Sequence, residues 1–139
     1  MDDFDIQLEW KNGVHFVASD QEKNQISVDG SAEIGGNNQG TRPMMMVLMG
    51  LASCASMDIV TILKKSRQPF EQFNVKVFAK RSNDIPKVFT EIHLLFTVKG
   101  EVESKRLDAA VSLSVEKYCS VATMLNKTAK ITYSTTIIE

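Results

Sequence analysis

The chain opens with a strict alternation: Phe4, Ile6, Leu8 and Trp10 are apolar, while Asp5, Gln7 and Glu9 between them are polar. A period of two puts one set on each face of an extended segment, so residues 4–10 read as a half-buried β-strand. Lys11-Asn12-Gly13 is a hairpin signal, and residues 14–18 (VHFVA) return as a second strand. Residues 25–30 (QISVDG) make a third, ending in an Asp-Gly turn. The simplest arrangement is an antiparallel meander. The Gly/Asn-rich stretch that follows, EIGGNNQGT at 33–41, has neither the glycine spacing nor the lysine of a phosphate-cradling loop. It reads as a flexible connection.

At Pro43 the pattern changes. Proline suits the first helical position, with Thr41 close enough to cap, and the run to Arg67 is apolar on nearly every face until Asp58. A helix apolar all round is expected to be buried on all sides. Gly50, Ala52, Ser53, Ala55 and Ser56 keep its middle thin, which permits close approach of another element or subunit. Lys64, Lys65 and Arg67 complement the negative end of the helix dipole, and Pro69 stops it. The uncharged run at 44–57 is 14 residues long, short of the roughly 18–20 that span a bilayer. It reads as a core helix rather than a membrane segment.

Two longer strands follow, 70–81 and 87–100, joined by SNDIP. In the second, Ile92, Leu94, Phe96 and Val98 share one face, and Glu91, His93, Leu95 and Thr97 the other. Residues 101–121 form an amphipathic helix. Leu107, Ala110, Val111, Ser114, Val115 and Tyr118 recur at spacings of three and four, with Cys119 at the helix end and VATMLN as a further turn. Residues 129–138 close the chain as a strand. With no repeat and no dividing linker, residues 1–139 are expected to form one domain. It would be an α+β fold with antiparallel sheets around a buried central helix. A helix this apolar needs more cover than one small sheet gives, which calls for a homodimer.

Charge changes the picture little. Sixteen basic against seventeen acidic residues leave a net charge of −1 over 139 residues, and their scatter offers no nucleic-acid surface. The acidic N-terminus has no basic segment leading into an apolar one, so no secretory signal is expected and the compartment reads as cytoplasmic. His15 and His93 are the only histidines, neither in a ligand-spaced motif. No metal and no cofactor are called for. No Gly-x-Ser-x-Gly elbow is present. That leaves Cys54 and Cys119, 65 positions apart, too few cysteines for a disulfide framework. A thiol reacts as its thiolate, held by a cation or a helix N-terminus. Cys54 lies about three turns into its helix, and Asp58, one turn on, would raise its pKa. On the local residues alone, packing accounts for both cysteines better than chemistry does.

A wider pattern alters that. The run from Pro43 to Cys54 with SMDIVTILKK after it, followed by VEKYCSVATML around Cys119, resembles the OsmC/Ohr family of osmotically inducible and organic hydroperoxide resistance proteins. It looks closest to the YhfA-like branch of that family. Element order and cysteine separation agree over essentially the whole chain. The resemblance implies an OsmC-like fold and an intertwined homodimer with a two-cysteine site at each interface. Cys54 would be the peroxidatic thiolate that attacks an organic hydroperoxide, and Cys119 the resolving thiol. An external thiol would reduce their disulfide. Met44, Met45, Val47, Leu48 and Leu51 would give the site an apolar lining. The family's carboxylate after the helix-starting proline is replaced here by Met44 and Met45, and no arginine precedes Arg42. Arg42 or Lys11 is then left as the activating cation. The alternative is a non-catalytic or redox-sensing protein that keeps the dimeric pocket for an apolar small molecule.

Overall fold

In the computed structural model, residues 4–138 are described. Six strands and three α-helices run in the order β1 (Gln7–Asn12), β2 (His15–Ser19), β3 (Gln25–Val28), α1 (Pro43–Lys65), β4 (Phe70–Arg81), β5 (Phe89–Gly100), α2 (Ser104–Leu113), α3 (Ser120–Leu125) and β6 (Lys130–Ile138). The fold is α+β, as expected. Backbone contacts gather into two compact units, Met1–Leu48 and Met49–Glu139, with the boundary inside α1.

The first unit is the meander β1-β2-β3, with both pairings antiparallel. Gly13 turns the hairpin at φ 51°, where a side chain would be strained, and its carbonyl accepts from Trp10 Nε1 at 2.9 Å. The alternation identified residues of one face but not what covers it. Phe4, Ile6, Leu8 and Trp10 are exposed, Trp10 at 62%, so β1 is not the half-buried strand expected. The glycine-rich loop is not a loose connection either. Asp29, 1% exposed, accepts backbone N–H groups of Gly30, Asn37 and Gln39 at 2.8–3.0 Å. Gln39 first and Asn37 next hold its carboxyl below the ordinary value of 3.8, outweighing desolvation. Gly36 lies so close to the Gly30 carbonyl that a Cβ would fall 1.8 Å from its oxygen. Thr41 bridges to Val28 rather than capping α1, and the Arg42 carbonyl accepts the Met46 N–H as the helix begins.

In the second unit β5 is central. It pairs antiparallel with β4 and parallel with β6. The sequence implied antiparallel pairing throughout. Parallel neighbours need a long crossover, and the helical stretch between β5 and β6 supplies it. Ile92, Leu94, Phe96 and Val98 are buried on one face, and Phe73 meets Phe96 edge-on at 6.0 Å. His93, on the other face, bonds Thr132 and Ser134 through its two ring nitrogens at 2.7 and 2.9 Å, so it serves the sheet.

Helix α1 is not buried on all sides within this chain. Its fully buried residues are Leu51, Ala55, Ile59 and Leu63, a single stripe at intervals of four, while Met45, Met49 and Met57 are exposed. The apolar stretch is also longer than the run that ends before Asp58. An 18-residue window has mean hydropathy 1.9, so by length and composition alone α1 could cross a membrane. One carboxylate does not interrupt the helix.

Two measurements check this packing. Phe96→Ala is expected to lower stability in urea denaturation by about 3–5 kcal/mol. A loss under about 1 kcal/mol would mean that the ring is not in a closed core. Asp29 carries a pKa depressed in the folded state, so its contribution is present above the ordinary carboxylate value and is lost as pH falls through the folded one. The wild-type thermal midpoint should therefore drop more steeply below about pH 4 than that of Asp29→Asn. Parallel curves would exclude Asp29 as an anchor.

Candidate two-thiol site

Cys54 is half-buried on α1 beside Ala55, a member of the buried stripe, and one turn before Asp58. Its counterpart is placed by a local irregularity. After Leu113 the helix widens into a π-turn, Ser114–Tyr118, in which the Cys119 N–H donates to the Ser114 carbonyl five residues back at 2.7 Å. The extra residue advances the inward-facing position by one. Tyr118, expected on the buried face, is 54% exposed, whereas Cys119 is fully buried. The chain then breaks to an extended conformation at Cys119 (φ −74°, ψ 108°), which caps the separate helix α3. The single helix expected over 101–121 is thus three pieces.

Ser114 was read from the sequence only as part of a helical stripe, and its contacts across to α1 were missed. Its hydroxyl donates to the Ala55 carbonyl at 3.0 Å and faces Asp58 Oδ2 at 3.2 Å, tying the end of α2 to the turn of α1 after Cys54. The available signal was a serine among Leu107, Ala110, Val111 and Val115, a polar residue in a stripe that must be buried.

Cys54 lies close enough to Cys119 to act on its thiol. Burial pushes the Cys119 thiol up to about 11, and Cys54 adds to the rise by hydrogen bonding and by its charge. The Ala122 N–H, 3.4 Å from the sulfur, and the Val121 N–H oppose this without reversing it. Cys119 is therefore a protonated thiol at neutral pH. Both cysteines are free.

The other expected site residues stand as follows. Arg42 lies twelve positions before Cys54, and its guanidinium donates to the Gly40 carbonyl at 3.3 Å. Lys11 is paired with Glu9 at 3.0 Å. Met45 and Val47 are exposed, and Met44 and Leu48 are partly buried. Leu51 is fully buried in the stripe of α1, so it belongs to the core rather than to an open lining. In the second unit, open cavities of about 670 and 770 Å³ lie around Pro69 and Phe70, with Lys64 and Arg67 beside one and Lys99 beside the other. Neither is lined by a cysteine. His15, in the first unit, bonds Ser27 at 2.7 Å, and the Ser27 hydroxyl in turn donates to the Gln39 carbonyl at 2.6 Å. With its one proton so used, Ser27 accepts, and His15 Nε2 is the donor.

Two neighbouring thiols of unequal burial, on a central helix and on the cap of a crossover helix, place the chain among small α+β two-cysteine proteins. It belongs to the OsmC-like protein family, whose sequence pattern it matches over residues 35–134. It is 37% identical over 133 residues to Protein YhfA of Escherichia coli K12, covering 95% of this chain and 96% of that one. A hypothetical protein from Aquifex aeolicus VF5 superposes over 100% of both chains with a TM-score of 0.84 and 31% identity. An organic hydroperoxide resistance protein from Elizabethkingia anophelis shares the fold at a TM-score of 0.75 and 12% identity, over 99% of this chain and 98% of that one.

The shift of Cys119 from 9.0 to about 11 leaves it about one hundredth of the thiolate of an ordinary cysteine near neutral pH. Iodoacetamide at pH 8 should therefore label Cys119 of the folded protein about a hundredfold more slowly than in urea. Equal rates in the two states would contradict the burial assigned to it.

Proposed function

We propose that the chain reduces organic hydroperoxides through Cys54 and Cys119. The observation that carries this reading is the reachable Cys54 beside a buried thiol whose proton is retained up to about pH 11. The Cys54 thiolate attacks the O–O bond, sulfur takes one oxygen as sulfenic acid, and the departing alkoxide takes a proton to leave as the alcohol. The sulfenic acid then condenses with the Cys119 thiol. A disulfide forms, and the sulfenic hydroxyl leaves with the thiol proton as water. Two equivalents of an external thiol restore both cysteines. The order is built into the pair. Cys54's charge adds to the burial that keeps the proton on Cys119, and oxidation to a neutral sulfenic acid removes that addition.

The working form in this reading is a homodimer, which would cover the exposed methionines of α1 and the apolar face of the N-terminal segment. About 18 Å of helical rise separates Arg42 from Cys54 of the same chain. An Arg42 cation would therefore come from the second copy, and Lys11 is the other candidate. Met44, Met45, Val47 and Leu48 would receive an alkyl or aryl group, and a reducing cytoplasm would supply the thiol. A specific observation favours a second reading, a redox sensor or apolar-ligand binder without turnover. Lys11 is already paired with Glu9, and a methionine stands where the family has its carboxylate.

Consumption of cumene hydroperoxide with dithiothreitol as reductant tests these readings. Wild type should turn over and Cys54→Ser should not. With the reductant left out, Cys119→Ser should accumulate a sulfenic acid that dimedone traps. Peroxide consumption by Cys54→Ser at the wild-type rate would exclude the proposed chemistry. A wild type that is oxidised once, without turnover, would instead support the sensor.

A further inference from the structure

Ser114 breaks the apolar stripe of Leu107, Ala110, Val111 and Val115, yet it is fully buried. A buried hydroxyl is costly unless it is bonded. Here it is bonded at both ends of the residue. Its side chain reaches the Ala55 carbonyl at 3.0 Å and Asp58 Oδ2 at 3.2 Å, on the turn of α1 that begins at Cys54. Its own carbonyl accepts the Cys119 N–H at 2.7 Å, the bond that closes the π-turn. A single residue thus joins the backbone of one cysteine to the helix turn that carries the other. The hydroxyl has one proton for two acceptors, so Ala55 and Asp58 share it in a three-centre bond. Together they fix the hydroxyl's rotation and the height of α2 along α1.

We infer that Ser114 is the positioning residue of the thiol pair: it holds the Cys119 sulfur in register with Cys54, with Asp58 as its second anchor. The inference rests on the two-thiol reading above and names the residue on which the closeness of the thiols depends. It touches neither sulfur, so its effect lies in how readily the Cys54–Cys119 disulfide forms.

The test equilibrates the full chain in graded mixtures of reduced and oxidised glutathione, and intact mass after alkylation reads the fraction of disulfide. In this exchange the two thiols lose two protons and two electrons, and oxidised glutathione leaves as two glutathione thiols. Ser114→Ala should lower the equilibrium constant for the internal disulfide about three- to tenfold, the weight of one hydrogen bond. Ser112→Ala, whose hydroxyl bonds Glu116 on the exposed side of the same helix, should leave it unchanged. If Ser114→Ala does not fold, Asp58→Ala removes one anchor and should lower the constant about two- to threefold. A wild-type constant in the foldable variant overturns the inference and leaves the two-thiol reading standing. A wild type that forms no internal disulfide at any ratio overturns both.

Discussion

The hydrogen bond from the Cys119 N–H to the Ser114 carbonyl is the constraint on which the candidate site depends. An α-helix continued through residue 118 would turn Tyr118 inward and leave the cysteine displaced around the helix axis. Closing the turn over five residues instead of four seats Cys119 against α1 and ends the helix there. The chain must then restart as α3 before it can reach β6. The cap of α3 and the placing of Cys119 against α1 both follow from where that turn widens. Such widened turns inside helices recur at functional sites, where a single residue must be re-aimed without moving the element that carries it.

The consequence is an asymmetry in burial. Cys119 is sealed and keeps its proton, whereas Cys54 on α1 remains half-buried. Two equivalent thiols would compete for the first oxidation step. In the proposed chemistry, two unequal ones divide the roles by environment. Asp58 belongs to the same arrangement. Its carboxylate faces the Ser114 hydroxyl, on the turn of α1 after Cys54.

What could be read from the sequence was whatever depends on local periodicity. The alternation in β5 placed Ile92, Leu94, Phe96 and Val98 on the buried face, and Pro43 marked the first residue of α1. The two cysteine motifs in their order carried the family, which the match over residues 35–134 bears out. What could not be read depends on partners distant in sequence. Strand direction for β6 is set by the crossover, not by its own residues. The Gly/Asn-rich loop looked loose because its organiser, Asp29, contributes through hydrogen bonds that no periodicity records. The π-turn is invisible to a three-and-four spacing rule, since Ser114, Val115 and Tyr118 satisfy that rule equally well with a regular helix. Hydrophobic pattern also says which faces want cover without saying whether the same chain provides it. The exposed methionines of α1 and the apolar side chains from Phe4 to Trp10 show the difference.

The central claim is that Cys54 and Cys119 form one redox unit. Intact mass of the reduced protein after one equivalent of cumene hydroperoxide, followed by peptide mapping, tests it most directly. The account predicts a loss of about 2 Da per chain, with the peptides of Cys54 and Cys119 joined. A persistent gain of about 16 Da on Cys54 with Cys119 still free, or no reaction at either cysteine, would contradict it.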